Sequence, residues 1–145
     1  MSRENVELVR GLLPGPDIDI ATLFRDEDAF AAWAEAVAPL FSSDFGLAGA
    51  IGGVNEATRH GFDGLREGWL DWLAPWASYR TQIEEIIGLG DRVVVLVRDF
   101  ARRDETMPEV ELISGAVWTV RDGEIAWVEF YLDRADALKA VGLEG

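Results

Sequence analysis

The spacing of apolar residues changes near Pro75, and this change restricts the fold more than any other feature of the chain. Before Pro75, apolar side chains recur at helical spacing in residues 2–13, 26–39 and 63–76, which predicts three amphipathic helices. After it, apolar runs separated by turn signals such as Gly90-Asp91 predict strands. The predicted strands are Arg80–Ile87, Val93–Arg102, Val110–Val120 and Glu124–Leu132.

Polar residues with N-cap chemistry precede these helices. Ser2, either Asp26 or Asp28, and Asp63 each stand just before a helical pattern. Asp133 predicts a further, short C-terminal helix, which should stop at Gly142.

The predicted strands follow one another too closely for crossover helices, so they favour an antiparallel meander. With helices first and strands second, the chain predicts an α+β domain in which a curved antiparallel sheet wraps around the helices. Val93–Val97 is apolar at five successive positions, so both faces of that strand should be covered. We expect helices on one face and a second copy of the chain on the other, which gives a homodimer through the sheet.

The composition of the chain limits the kinds of molecule that the protein can bind. The 145 residues fit one domain, 1–145, and the net charge of −14 disfavours nucleic acid and anionic membranes. With no Cys and one His, the sequence predicts neither a metal site nor a cofactor. Charged residues at positions 3, 4 and 7 break any secretory signal, so we expect a cytoplasmic protein.

Five segments together resemble the SnoaL-like branch of the NTF2-like superfamily. They are Ser2–Arg10, Gly61–Glu67, Gly90–Val95, Val117–Ile125 and Tyr131–Leu138. The resemblance implies a cone-shaped barrel whose mouth admits a small, mostly apolar molecule, and it implies homodimers. It does not imply one reaction, because the superfamily includes isomerases, cyclases, hydrolases, dehydratases and binding proteins.

The catalytic patterns of two branches are not preserved. The tyrosine of the ketosteroid isomerase pattern would align with Leu13, and its aspartate base and second acid would fall near Gly49 and Gly115. None of these three residues can transfer a proton. The epoxide hydrolase pattern needs an acid two residues after its arginine, but Arg98 is followed at that distance by Phe100.

Three residues remain as candidates for chemistry. Alternation from Val94 and Leu96 predicts that Arg98 faces the cone, where it could clamp an anion, although a surface ion pair explains it better. Asp44 could take the place of the missing aspartate base. His60 could carry a proton, because it is the one side chain whose ordinary pKa lies near neutrality. By the same alternation, Asp99 should lie on the opposite, solvated face.

The pocket should bind a small, mostly apolar or amphipathic molecule that could carry an anionic group. One alternative is an enzyme, a cyclase, isomerase, dehydratase or hydrolase, with a non-standard acid–base set. A second alternative is a protein-interaction domain that uses its acidic surface. The predicted lining is Leu13, Phe45, Trp72, Leu96, Arg98, Phe100, Val117, Thr119, Val128 and Phe130.

Overall fold

A computed structural model describes residues 2–49 and 58–143 and confirms the α+β class. The helices are α1 (Ser2–Leu12), α2 (Ile20–Arg25), α3 (Glu27–Val37), α4 (Gly61–Leu73) and α5 (Arg134–Ala140). The strands are β1 (Phe41–Gly49), β2 (Arg59–His60), β3 (Ser78–Leu89), β4 (Arg92–Arg102), β5 (Val110–Arg121) and β6 (Glu124–Tyr131). Among these described residues, no helix has the length and apolar character needed to cross a bilayer.

The six strands form one sheet in the order β2-β1-β6-β5-β4-β3. The meander from β3 to β6 is antiparallel, as predicted, but β1 pairs with β6 in parallel. The sheet is therefore mixed, which corrects the expectation of a purely antiparallel one. Turn signals show how neighbouring strands connect, whereas β1 and β6 lie far apart in the sequence and share no turn.

The helix boundaries differ from prediction at two places. A short helix that the apolar spacing does not predict, α2, lies between the first two predicted helices, and Asp19 caps it by accepting a hydrogen bond from the Ala21 backbone N–H. Helix α4 begins two residues before Asp63, directly after His60, and it ends before Trp76. Gly61 explains the early start, because its φ of +71° favours glycine at this bend.

Helix α5 covers the outer face of the sheet. Its Ala137 is fully buried in a small cluster with Val94, Leu96 and Val117. The second apolar face of β4 is thus buried within one chain, so it no longer argues for a partner. The helix ends as predicted: Gly142 has a φ of +81°, and the Leu143 N–H donates to the Leu138 carbonyl over 2.8 Å.

Candidate functional site

An apolar cavity of about 120 Å³ lies between the inner face of the sheet and the first four helices. Apart from the indole N–H groups of its tryptophans, its polar side chains among the described residues are Thr81, Asp99 and Ser114. The full lining is Leu12, Leu13, Pro14, Ile20, Leu23, Phe24, Trp33, Phe41, Phe45, Leu65, Trp69, Thr81, Ile83, Val95, Val97, Asp99, Ser114, Gly115, Ala116, Trp118, Val128 and Phe130.

The predicted side-chain direction of β4 is wrong. Val95, Val97 and Asp99 line the cavity, whereas Leu96, Arg98 and Phe100 do not. The reason is the apolar run from Val93 to Val97, which hides the alternation on which a face assignment depends.

The same error affects β5. Ser114, Ala116 and Trp118 line the cavity, and Val117 and Thr119 belong to the outer face. Residues paired across antiparallel strands share a face, and Val94 of β4 pairs with Val117. The wrong face predicted for β4 and the wrong face predicted for β5 therefore have the same cause.

Four of the predicted lining residues are at the cavity. Leu13, Phe45, Val128 and Phe130 line it, and their role in ligand binding stays a prediction. Trp72 instead lines a smaller neighbouring pocket of about 40 Å³, which also reaches Asp99 and Ser114.

Asp99 is the one buried charged side chain of the described core, with 5% of its surface exposed. The Tyr79 hydroxyl donates a 2.5 Å hydrogen bond to Oδ2, and the Thr81 hydroxyl donates one of 2.5 Å to Oδ1. Ser114 donates a third. Burial nevertheless raises the pKa of Asp99 above its ordinary value, because it penalises the charged carboxylate more than these donors stabilise it.

Tyr79 holds this carboxyl from β3. Burial, followed by the negative charge of Asp99, raises the pKa of Tyr79 far above its ordinary range. Its hydroxyl therefore keeps its proton and remains a hydrogen-bond donor. The result is a carboxyl group held by neutral donors in the wall of an apolar cavity.

The three predicted candidates for chemistry lie outside the cavity. Arg98 pairs on the outer face with Glu84 over 3.1 Å and with Glu111 over 2.7 Å, so the surface ion pair is the correct interpretation. Asp44 is exposed and accepts a hydrogen bond from Ser42.

His60 is also exposed, directly before α4. Its ring lies 6.4 Å from that of Trp127 on the outer side of β6. Within the described ranges, no three His, Asp or Glu side chains are grouped closely enough to hold a metal ion.

The sequence held a signal that would have identified Asp99. Arg92, Arg98 and Arg102 share one face of β4, and three arginines on one face indicate solvent rather than an apolar interior. The other face, which carries Asp99, is then the inner one.

Helices packed on an open, curved sheet around an apolar cavity define the class of NTF2-like folds, as the sequence resemblance implied. Residues 23–128 match the SnoaL-like domain. The chain belongs to the SnoaL-like family.

Solved structures with this fold cover nearly the whole chain. An NTF2-like protein of unknown function from Burkholderia pseudomallei is 19% identical, with a TM-score of 0.63 over 96% of this chain and 98% of that one. TerC, co-crystallised with polyporic acid, is 22% identical, with a TM-score of 0.63 over 94% and 96%. A candidate SnoaL-like polyketide cyclase from Jannaschia sp. CCS1 is 16% identical, with a TM-score of 0.65 over 90% and 85%.

At these identities the likeness shows the fold alone. No curated protein is similar enough to this chain to count as a match.

Proposed function

We propose that this protein binds a small, mostly apolar molecule in the cavity, with a polar group of that molecule at Asp99. The observation that carries the proposal is an apolar cavity with one buried carboxyl in its wall. Pockets that bind small molecules are commonly lined by apolar side chains and contain a few polar groups that fix orientation. The co-crystal of TerC with polyporic acid supports a small-molecule role for this fold.

The volume of the cavity and the charges around it limit which molecules can bind there. Apolar cavities of ~150 Å³ bind benzene, so about 120 Å³ suits a molecule of similar or smaller size. The expectation that the ligand carries an anionic group has lost its support, because Arg98, the residue expected to bind that group, pairs with carboxylates on the outer face. The acidic surface alone would suit a protein partner, but it gives no account of a buried carboxyl inside a cavity.

Binding can be tested with 3,3-dimethylbutan-1-ol, a compact and mostly apolar alcohol. We expect it to shift the NMR signals of cavity residues in the wild-type protein. Ala116→Phe places a ring in the cavity and should abolish these shifts, because Ala116 lines the wall. Ala135→Phe, at an exposed position of α5, is the matched control and should bind as the wild type does. Equal binding by both variants would contradict the proposal.

A second candidate function is proton transfer by Asp99. Its burial, its raised pKa and its place in the cavity wall favour a general acid or base. This keeps the enzyme alternative open, with Asp99 in place of Arg98, Asp44 and His60.

Hydrogen–deuterium exchange of cyclopentanone, which has as many heavy atoms as benzene, tests this second candidate in D2O. A carboxylate base removes a proton from the carbon beside the carbonyl, and the enolate that forms takes a deuteron from the solvent, which NMR detects. We expect the wild-type exchange rate to rise with pH as Asp99 ionises, and Asp99→Asn to reduce it by about a hundredfold, the scale of general-base catalysis. Equal rates for the two proteins would exclude this role.

A further inference from the structure

The cavity wall contains an acidic side chain without a basic neighbour. None of the described lining residues is Lys, Arg or His, and the sequence neighbour of Asp99, Arg98, points to the other face. Tyr79 and Thr81 give the carboxyl hydrogen bonds but no positive charge. A buried carboxylate is costly unless a cation accompanies it, so a positive charge on the ligand would stabilise it.

Aromatic rings cover much of the same wall. The ring centroid of Trp69 lies 5.5 Å from that of Phe24, 5.8 Å from that of Phe130 and 6.0 Å from that of Tyr79, whose hydroxyl reaches Asp99. Aromatic faces carry negative charge density and attract organic cations. The seven rings of the lining are Phe24, Trp33, Phe41, Phe45, Trp69, Trp118 and Phe130.

We propose that the cavity selects a small alkylated ammonium ion over neutral and anionic molecules of the same shape. This inference rests on the proposed function and adds the sign of the ligand's charge. A primary ammonium would bring three N–H donors to a wall whose acceptor side chains are Thr81, Asp99 and Ser114. A secondary, tertiary or quaternary ammonium has no more than two N–H donors, and its additional alkyl groups suit the aromatic wall.

Three probes of nearly the same shape test the charge selectivity. Choline and 3,3-dimethylbutan-1-ol differ by a positive nitrogen in place of a carbon, and 3,3-dimethylbutanoate carries a negative charge. We expect NMR titration of the wild-type protein to show choline binding at least about tenfold more tightly than the alcohol. The anion should bind most weakly.

Two variants assign the selectivity to the cavity. Asp99→Asn should weaken choline binding about tenfold and leave binding of the alcohol nearly unchanged. Trp69→Leu should also reduce the preference for choline, and it serves if the first variant does not fold. Because the chain carries a net charge of −14, choline could also gather on its surface. Asp44→Asn, which removes an exposed carboxyl, controls for this and should leave the preference unchanged.

The outcomes separate this inference from the proposed function. If the wild-type protein binds choline and the alcohol equally, the charge selectivity is wrong and cavity binding stands. If the preference persists in both Asp99→Asn and Trp69→Leu, the inference is also wrong. If none of the three probes binds in the cavity, the proposed function fails together with the inference.

Discussion

At the scale of residues, Asp99 is a buried acid whose negative charge lowers the stability of the folded protein. Its pKa is raised in the folded protein, mainly by burial, so the folded state prefers the protonated carboxyl. The stability linked to this proton is therefore present below the ordinary pKa of 3.8 and is lost as pH rises through the raised value. The titratable neighbour, Tyr79, stays neutral in this range.

Asp99→Asn should therefore stabilise the protein increasingly as pH rises. Asn resembles the protonated carboxyl and avoids the cost of a buried charge, which grows as the pH rises through the raised pKa of Asp99. Denaturant unfolding of both proteins at about pH 4 and about pH 8 measures the difference. A difference that stays constant or shrinks toward high pH would contradict the assigned direction of the pKa shift.

At the scale of elements, the strands of the meander could be predicted closely, whereas the alternation of apolar residues predicted the wrong inner face for β4 and β5. The predicted boundaries agree with β3 to β6 within two residues, because turn chemistry marks strand ends locally. The face of β4 depends on which neighbours cover it. An unbroken apolar run from Val93 to Val97 carries no such information, and only the arginines of β4 indicate that Asp99 lies on the inner face.

Helix α5 depends on its N-cap. The Asp133 side chain accepts a 2.8 Å hydrogen bond from the Ala135 N–H, and the helix it starts covers Val94 and Leu96. Asp133→Ala should lower the free energy of unfolding by about 0.5–2 kcal/mol in denaturant titrations. Asp136→Ala removes the same charge from the first turn without removing the cap, and it should cost less. Equal losses would show that charge, rather than the capping bond, stabilises α5.

At the scale of the whole molecule, the homodimer stays a prediction, with different support. Helix α5 now accounts for the buried outer face near Val94, but Ile113 on the outer face of β5 is 46% exposed. Sedimentation at micromolar concentration should give about twice the monomer mass, and Ile113→Asp should shift it to the monomer. Ile18→Asp is the control, because Ile18 is nearly as exposed, at 45%, but lies in a loop rather than in β5. The Ile18→Asp variant should remain a dimer. A wild-type monomer would contradict the prediction.

The central claim is that the cavity beside Asp99 holds a small molecule, and a crystal structure of the protein grown with 3,3-dimethylbutan-1-ol tests it most directly. We predict electron density for the alcohol inside the cavity, with its hydroxyl at Asp99 and its tert-butyl group against Trp69 and Phe130. A cavity without the alcohol in crystals that contain it elsewhere, or one filled by its own side chains, would contradict the account.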